Sequence, residues 1–480
     1  MESAQTPLNE IACDLCVIGA GPGGLTVASA AAQLGRKVVL IERAAMGGDC
    51  LNYGCVPSKA LIAAARRAHD VRFAREFGIV AGEIRIDFAH VMERVREAIA
   101  AIAPDDSQER FENLGCTVIR AEARFVDGAT VAAGNARIKA RRFVIAAGSS
   151  PAVPPIDGLG QVPYFTSETI FESRVLPERL LVLGAGPMGL ELAQAFRRLG
   201  SEVVVLDMAQ PLAGRDPELA QLLLEVLERE GVRIVSSCKV RSIRSAGRDI
   251  ALSVETGAGT QEMKASHLLL AAGRRPNVEG LDLERAGMAF SQEGIGVDAR
   301  LRTTNPRVYA IGDIRGGLHF THVAAHQARL VVRNALFRLP VRYDWTSMPW
   351  AIFTDPQFAG VGLTEAEAAA RGLGPKILRW PLARSDRARI ERRPHGLFKI
   401  VLDHRSRVIG AGIVAPEAGE LILPWAELAA KRRSIRALSD AVLPYPTLSQ
   451  ESPRISLAAY AGLAGNPWLR RALDMLSSLG

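Results

Sequence analysis

The chain has 480 residues, of which 48% are hydrophobic, and a formal net charge of +8 that is spread along its length. About three domains of ordinary size fit this length, whereas the apolar runs are too short for a membrane span and no basic–apolar N-terminal segment predicts a signal peptide. Six cysteines without the spacing of a secreted disulfide scaffold predict a cytoplasmic protein, and basic clusters without interleaved aromatic residues do not indicate nucleic-acid binding.

The first part of the chain has the pattern of a dinucleotide-binding β-turn-α-β unit. A strand ending at Ile18 leads into a GxGxxG turn, a helical pattern follows, and the next strand ends on an acid eighteen residues after the last glycine. Glycines in such a turn let backbone N–H groups approach a pyrophosphate at the helix N-terminus, and the acid accepts hydrogen bonds from ribose hydroxyls. The residues predicted to bind a dinucleotide are Gly19, Gly21, Gly24 and Glu42.

Cys13 and Cys16 form a CxxC pair on the first strand of this unit. Residues three apart on a strand point to opposite faces. We therefore expect both to be small apolar strand residues, not a metal or redox pair, and we expect the same of Cys116 and Cys238.

A second motif, Gly47–Lys59, contains two cysteines separated by four residues and leads into the Ala-rich run Ala60–Ala65. This run predicts a helix, with Pro57 and Ser58 at its start. Cys55 then lies beside a helix N-terminus and close to Lys59, and both features lower the pKa of a thiol. Because Cys50 lies within loop reach of Cys55, the pair is predicted to cycle between disulfide and dithiol.

The segment Gly47–Leu61 resembles the redox-active segment of the class I pyridine nucleotide–disulfide oxidoreductases. These are FAD enzymes that include lipoamide dehydrogenase, glutathione reductase and mercuric reductase, and the similarity extends over about residues 11–452. The resemblance implies an α/β fold with two Rossmann-like dinucleotide-binding domains and an α+β C-terminal dimerisation domain. It assigns residues 1–150 and 273–340 to the FAD-binding part, 151–272 to the NAD(P)-binding domain and 341–480 to the dimerisation (interface) domain of a homodimer.

After helical residues 66–103, interrupted near residues 78–86, and strands up to a turn-rich boundary near residue 150, the first pattern occurs again. A strand over Leu180–Leu183, a GxGxxG turn, a helix to Gly200 and a strand to Asp207 form an internal repeat, and Asp207 also lies eighteen residues after the last glycine. Two dinucleotide units in one chain indicate a flavoprotein served by a nicotinamide. The residues predicted for the second nucleotide are Gly184, Gly186, Gly189 and Asp207.

The carboxylate of Asp207 is expected to bind the adenosine ribose and to repel a 2′-phosphate. NADPH-preferring relatives usually place an arginine directly after this position, where this chain has Met208, and no basic residue follows until Arg215. NAD(H) is therefore favoured over NADP(H).

The resemblance also implies roles for residues outside the glycine turns. Cys55 is the flavin-side thiol, Cys50 attacks or coordinates the substrate, and Lys59 and Glu191 meet near the flavin N5. Asp313 is expected at the ribitol of FAD, and Thr321 and His322 begin the helix at the pyrimidine edge of the flavin; His322 and His326 lack a third ligand, so no metal site is predicted. Further positions assigned to cofactor binding are Gly48, Ala123, Gly148, Val240 and Gly273.

The C-terminal segment Leu443–Gln450 departs from the family pattern. In relatives it supplies a catalytic His–Glu pair across the dimer, whereas this chain has Tyr445 and Gln450 at those positions. A phenol is a poor replacement for a histidine base, and the loss of a general base costs ~10²–10⁴ in rate. A tyrosine here resembles mercuric reductase, but the C-terminal cysteine pair of that enzyme is missing. It also resembles the soluble transhydrogenase branch, which has lost part of the redox pair that this chain keeps.

The predicted acceptor is a small molecule, either a disulfide or a metal ion, and Tyr445 is included among the catalytic candidates. Two alternatives remain open from the sequence. One is reduction of a non-thiol acceptor such as a quinone, Cu(II) or dioxygen, and the other is a flavin redox sensor of low turnover.

The tail predicts a helix with Asn466 as N-cap and Pro467 at its first position. Its apolar stripe consists of Trp468, Leu469, Ala472, Leu473, Leu476 and Leu479. Packing on the dimer is favoured, and an amphipathic contact with a membrane surface is the alternative.

Overall fold

A computed structural model describes residues 9–461 and 466–478. The helices are α1 Pro22–Gln33, α2 Gly48–Asn52, α3 Cys55–Phe73, α4 Phe88–Ile102, α5 Gln108–Asn113, α6 Pro187–Leu199, α7 Pro217–Arg229, α8 Thr321–Ala335, α9 Glu365–Ala370, α10 Asp386–Ile390, α11 Ala418–Leu421, α12 Leu423–Ala430, α13 Glu451–Ala458 and α14 Pro467–Ser477. Within the described ranges, none of these helices has the length and apolar character that a membrane span requires.

The strands follow the same chain order. They are β1 Asn9–Ile18, β2 Val38–Glu42, β3 Cys116–Arg120, β4 Ala123–Asp127, β5 Thr130–Ala133, β6 Ala136–Ile145, β7 Ser149–Pro151, β8 Arg179–Leu183, β9 Glu202–Leu206, β10 Val232–Val235, β11 Lys239–Ala246, β12 Asp249–Thr256, β13 Gly259–Ala265, β14 His267–Leu270, β15 Arg274–Pro276, β16 Phe290–Ser291, β17 Gly294–Ile295, β18 Val308–Ala310, β19 Trp350–Ile352, β20 Gln357–Gly362, β21 Lys376–Pro381, β22 Leu397–Leu402 and β23 Val408–Ala415.

The chain divides into two compact units. The first contains the chain up to Gln210 together with Val232–Asp344, and the second contains Pro211–Gly231 together with the chain from Trp345 onwards. The predicted helical region after the redox motif is confirmed, because α3 and a 3-10 turn end at Phe77 and α4 begins at Phe88, capped by the Asp87 side chain.

The first unit contains the two predicted repeats. In the first repeat the parallel strands lie in the order β3-β2-β1-β6, with β18 on the other side of β6, and β4 and β5 extend the sheet antiparallel from β6. The second repeat has the parallel order β10-β9-β8-β14 and the antiparallel sheet β11-β12-β13. Parallel strands are buried on both faces, which explains why Val38–Glu42 is buried throughout.

The two repeats differ where the antiparallel strands meet the parallel sheet. In the first repeat, β6 is one ten-residue strand that serves both parts. In the second repeat, Ser266 separates β13 from β14. The Ser266 hydroxyl donates to the carbonyl oxygen of Arg179 at 2.9 Å and accepts from the Arg179 N–H at 3.0 Å, so this break is held by hydrogen bonds to β8.

The expectation that Cys13 and Cys16 point to opposite faces of the sheet is wrong. The N–H groups of Asp14 and Leu15 both donate to the Lys37 carbonyl, an irregularity that changes the alternation of β1 between the two cysteines. Both side chains therefore pack into the same buried cluster. Burial raises the pKa of Cys13 to about 11 and that of Cys16 well above its ordinary value, which keeps both thiols protonated.

The second unit is built on the antiparallel sheet β19-β20-β23-β22-β21, and its core surrounds the fully buried Trp425. Strands β22 and β23 form a hairpin in this sheet. Ile422 separates the short helices α11 and α12, and Pro424 lies in the first turn of α12. The tail helix α14 is capped by the Asn466 side chain, as predicted.

The apolar side chains of α14 are exposed on the single chain, including Trp468 at 75% and Leu476 at 62%. Leu479, predicted to complete this stripe, lies outside the described residues.

Helix α7 lies within residues 151–272 in sequence, but it packs in the second unit. A buried lysine of β22 explains this. Lys399 is 4% exposed, and its Nζ lies 2.8 Å from carboxylate oxygens of Asp216, Glu218 and Glu365. Asp216 also caps α7 by accepting from the N–H groups of Glu218 and Leu219, so the start of α7 is held to the sheet by charge.

Lys399→Met is expected to lower the free energy of unfolding by about 3 kcal/mol, since it leaves a buried carboxylate without its cation. Burial alone would lower the pKa of Lys399, but its hydrogen bonds to Asp216, Glu218 and Glu365 raise this pKa above the ordinary 10.5. The hydrogen bond from Lys399 in turn lowers the pKa of Glu365 below the ordinary 4.5. The stability that charged Lys399 contributes is thus fully present below pH 10.5 and lost as the pH rises through the raised pKa. The stability that the Glu365 carboxylate contributes is fully present above pH 4.5 and lost as the pH falls through the lowered pKa.

Urea unfolding of wild type and variant across pH measures this difference. We expect the largest gap between pH 5 and pH 10, with Lys431→Met, which removes an exposed i,i+4 partner of Glu427, as the control. A gap below about 0.5 kcal/mol, the size ordinary for an exposed pair, would contradict the prediction.

Candidate redox and dinucleotide site

The glycine turn of the first repeat is packed too closely for any other residue. Gly19 has φ +103°, and a Cβ there would lie 2.3 Å from the Ala146 carbonyl oxygen. A Cβ on Gly24 would lie 1.8 Å from the Gly19 carbonyl oxygen. Helix α1 begins inside this motif, at Pro22, with no side-chain cap, so its first N–H groups are available to a phosphate.

The second repeat reproduces this geometry. Gly184 has φ +115°, and added Cβ atoms would lie 2.3 Å from the Ala271 carbonyl oxygen at Gly184 and 2.0 Å from the Gly184 carbonyl oxygen at Gly189. Helix α6 also begins without a side-chain cap. Both turns therefore fit the pyrophosphate of a dinucleotide, as predicted for the GxGxxG motifs.

The acids at the ends of β2 and β9 shape these turns, a role that the sequence reasoning missed. Glu42 accepts from the N–H of Ala20 at 2.6 Å and from that of Ala44 at 2.7 Å. Asp207 accepts from the N–H of Ala185 at 2.6 Å and from that of Ala209 at 2.8 Å. Each carboxylate is thus held at the mouth of its turn, the position from which an acid reaches a ribose.

Asp313 lies in the 3-10 turn after β18, and its carboxylate is well supported. The Ser149 hydroxyl donates to its Oδ2 at 2.7 Å, and His319 Nδ1 lies 3.3 Å from the same atom. Burial opposes the Asp313 charge, but His319, Ser149 and Arg274 outweigh it and lower the pKa. Nearby, buried Gln327 accepts from the Gly312 N–H, and its Nε2 has no hydrogen-bond partner among the described residues, which leaves a donor for a bound group.

The redox motif folds as two helices joined by a tight turn. Cys50 lies in α2, and Cys55 is the first residue of α3, which begins two residues before the predicted Pro57. The start of α2 packs against the dinucleotide motif, because a Cβ on Gly48 would lie 2.7 Å from the Cα of Gly21. The structure thereby brings the predicted redox and FAD motifs together.

The two thiols share one proton. Cys55 is exposed and Cys50 half-buried. The hydrogen bond from Cys50 lowers the pKa of Cys55 to about 6, with further lowering by Thr321, whose Oγ1 lies 3.2 Å from the Cys55 sulfur, and by Lys59. The same hydrogen bond raises the pKa of Cys50. At neutral pH the reduced pair therefore holds a thiolate on Cys55 and a proton on Cys50.

Lys59 and Glu191 meet, as the resemblance implied. Lys59 Nζ lies 2.7 Å from Glu191 Oε2, and Glu191, on α6, is 5% exposed. Because Lys59 follows Cys55 by one helical turn, this ion pair links the redox helix to the second repeat and fixes the ammonium near the thiolate.

The remaining predicted residues lie at strand ends and turns. Ala123 begins β4 and is buried, and Val240 is the second residue of β11. Gly148 and Gly273 have φ of +68° and +113° with open space around a Cβ. Tyr445 is 65% exposed in the second unit. In the described part of the chain, no group of three or more His, Cys, Asp and Glu side chains is arranged to hold a metal ion.

Comparison with known proteins agrees with this geometry. Residues 13–328 match the family described as pyridine nucleotide-disulphide oxidoreductase, and residues 348–454 match its dimerisation domain. A mercuric reductase of Streptomyces lividans is 36% identical over 445 residues, which is 91% of this chain and 94% of the relative. A dihydrolipoyl dehydrogenase of Thermus scotoductus is 35% identical over 451 residues, covering 91% and 95%.

Solved structures show the same likeness. The Cu(II) complex of the HOCl-induced flavoprotein disulfide reductase RclA from Escherichia coli has a TM-score of 0.84 at 26% identity and covers 93% of this chain and 99% of its own. LpdA from Mycobacterium tuberculosis has a TM-score of 0.84 at 28% identity, covering 93% and 100%.

Proposed function

Because the chain belongs to the pyridine nucleotide-disulphide oxidoreductases, we propose that it is an NADH-dependent reductase of a thiophilic metal ion, Hg(II) or Cu(II), working through Cys50 and Cys55. The class itself is that of an FAD-dependent NAD(P)H oxidoreductase with a redox-active cysteine pair, and its dimerisation domain makes it a homodimer. The acceptor, the preferred nucleotide and the roles of single residues are parts of the proposal.

The residues of the two turns fit FAD and a nicotinamide nucleotide. The first turn with Glu42 would hold the ADP half of FAD, Asp313 its ribitol, and the second turn with Asp207 the nucleotide. When bound, FAD supplies the transfer of reducing equivalents from NAD(P)H to the disulfide. The chain itself then keeps the dithiol poised, since Lys59 and Thr321 stabilise the Cys55 thiolate and Cys50 holds the proton.

The observation that favours a metal ion is the cysteine pair combined with Tyr445 in place of a histidine base. Reduction of an organic disulfide delivers protons to the leaving thiols and so needs a base and acid near neutral pH. Reduction of Hg(II) has no leaving thiol to protonate: both electrons of the reduced pair pass to the metal, the Cys50–Cys55 bond forms, and the single proton of Cys50 goes to solvent. Cu(II) takes one electron per ion, so two ions reoxidise one dithiol.

A small disulfide such as lipoamide is the second candidate. It is supported by the likeness to a dihydrolipoyl dehydrogenase and by the intact cysteine pair. In either case we propose that the active site is composite, with Tyr445 and Gln450 of one subunit facing the cysteine pair of the other, and that the enzyme works in the reducing cytoplasm.

The preference for NAD(H) is supported by the surroundings of Asp207. Met208, 75% exposed, follows it where an arginine would bind a 2′-phosphate. The next basic residue, Arg215, has its guanidinium 4.0 Å from the ring of Trp350, and this stacking commits it to another partner.

An acceptor screen of the holoenzyme with NADH and NADPH tests the proposal. We expect Hg(II) or Cu(II) to be reduced at least about 10²-fold faster than lipoamide or glutathione disulfide, because this enzyme lacks the histidine base that disulfide reduction needs. We also expect NADH to give a higher kcat/KM than NADPH. Lipoamide turnover equal to that of the metal ions would favour the second candidate. A flavin that NADH reduces more slowly than any cellular process would favour a redox sensor instead.

A further inference from the structure

Asp49 lies beside the two redox cysteines, and its charge acts on both thiols. It precedes Cys50 in α2, and its carbonyl oxygen accepts from the N–H groups of Tyr53 at 2.8 Å and Gly54 at 2.6 Å. A Cβ on Gly54 would lie 2.9 Å from Asp49 Oδ2 and 3.5 Å from the Cys50 Cα. The Asp49 carboxylate therefore packs against Gly54, the residue before Cys55, and the Asp49 backbone leads directly into Cys50.

The Arg274 guanidinium forms an ion pair with this carboxylate. Arg274 Nη2 lies 3.1 Å from Asp49 Oδ1, and the arginine side chain is only 15% exposed. This oxygen is shielded from solvent and has no hydrogen-bond partner among the described residues, so the contact is an ion pair without hydrogen-bond geometry. Arg274 is itself immobilised, since its Nε and Nη2 each donate to Ser149 at 2.8 Å. The position of the Asp49 charge is thus set by the strand β15 and not by the redox loop alone.

This charge opposes the groups that favour the thiolate. Lys59 and Thr321 stabilise the Cys55 thiolate, whereas the Asp49 charge raises the pKa of both Cys50 and Cys55. The other charged groups that face Asp49 are Arg274, Asp313 and Glu168, and Glu168 also faces Arg43. Burial raises the pKa of Asp49 itself, and Arg274 acts against that rise.

We propose that Asp49 is a positioning residue that, held by Arg274, strengthens the reduced Cys50–Cys55 pair as an electron donor. The proposal rests on the cysteine pair being the redox couple of the proposed function. Two-electron reduction by NAD(P)H breaks the S–S bond, puts one proton on Cys50 and leaves Cys55 as a thiolate. A fixed negative charge beside that thiolate makes the reduced state less favourable and so makes the dithiol more reducing.

A pH titration of the NADH-reduced holoenzyme tests this proposal. It follows two quantities: the rate at which iodoacetamide alkylates Cys55, and the absorbance of the thiolate–flavin interaction. Asp49→Asn and the smaller Asp49→Ser should both move the midpoint down by about one pH unit. Because the reduced pair is already mostly thiolate at neutral pH, this tenfold stabilisation of the thiolate shifts the equilibrium towards the reduced pair, and the midpoint potential of the disulfide rises by about 30 mV. Because alkylation does not depend on the flavin, a variant that loses some FAD still reports.

Asp70→Asn is the matched control, because Asp70 lies on the same helix as Cys55 but is exposed and paired with Arg67. Its midpoint should equal that of wild type. Wild-type midpoints in both Asp49 variants, with the thiolate still titrating, would overturn this inference and leave the proposed function standing. If wild type itself shows no titrating thiolate, the proposed function fails with it.

Discussion

Cys55→Ser is expected to abolish reduction of the metal-ion acceptor, lowering kcat by roughly a thousandfold or more, as the loss of a residue that carries the chemistry does. The physical reason is that Cys55 carries the thiolate, held by Cys50, Thr321 and Lys59. Cys50→Ser should lose acceptor reduction to a similar extent. The two variants should differ in their spectra, since only Cys50→Ser keeps a thiolate that absorbs with the flavin.

Cys116→Ala is the control for these variants, because Cys116 is a buried free cysteine on β3 whose sulfur contacts only the Ala28 carbonyl among the hydrogen-bond partners of the described residues, and burial raises its pKa to about 11. It should keep wild-type turnover and spectra. If Cys50→Ser reduced the physiological acceptor at the wild-type rate, the acceptor would be taken directly from the flavin, as for a quinone or dioxygen. A long-wavelength band that survives in Cys55→Ser would remove the assignment of this sulfur to the flavin side.

Gly24→Ala should yield a protein that purifies without FAD, with FAD binding weakened by about 100-fold or more. The new methyl group would meet the Gly19 carbonyl oxygen at 1.8 Å, and neither backbone segment has room to move. Overpacking costs of about 3 kcal/mol correspond to about 100-fold in affinity. The ratio of flavin absorbance to protein absorbance after gel filtration measures the result.

The second repeat offers a variant of matched chemistry. Gly189→Ala creates the same contact with the Gly184 carbonyl oxygen, at 2.0 Å, but should leave FAD bound and slow flavin reduction by NADH. Gly160→Ala, where the added Cβ meets nothing within 4 Å, should change neither. Loss of FAD from Gly189→Ala to the same extent as from Gly24→Ala would show that the two turns do not serve separate nucleotides.

The sequence predicted the elements whose signal is local. The glycine turns, the terminal acids, the cysteine pair at a helix start and the capped tail helix each follow from residues a few positions apart, and the structure has them where predicted. The Lys59–Glu191 pair joins distant segments and was reached only through the family resemblance.

The features that were missed depend on tertiary contacts. Nothing near Cys13 signals that Asp14 and Leu15 share one acceptor, so the change of strand face was not predictable. The ion pair between Asp49 and Arg274 joins residues that are 225 positions apart (274 minus 49). The packing of α7 depends on Lys399, which reads as an ordinary strand lysine until its three carboxylate partners are seen.

The membership of Pro211–Gly231 in the second unit limits how this protein can be divided or recombined. Leu219 of α7 lies directly over Gly412, where its Cδ1 is 2.4 Å from the place of a Cβ. A fragment starting at Trp345 would lack this cover and leave Lys399 without Asp216 and Glu218. Chimeras that exchange the C-terminal region between relatives should therefore carry the α7 segment with it, as a two-piece graft.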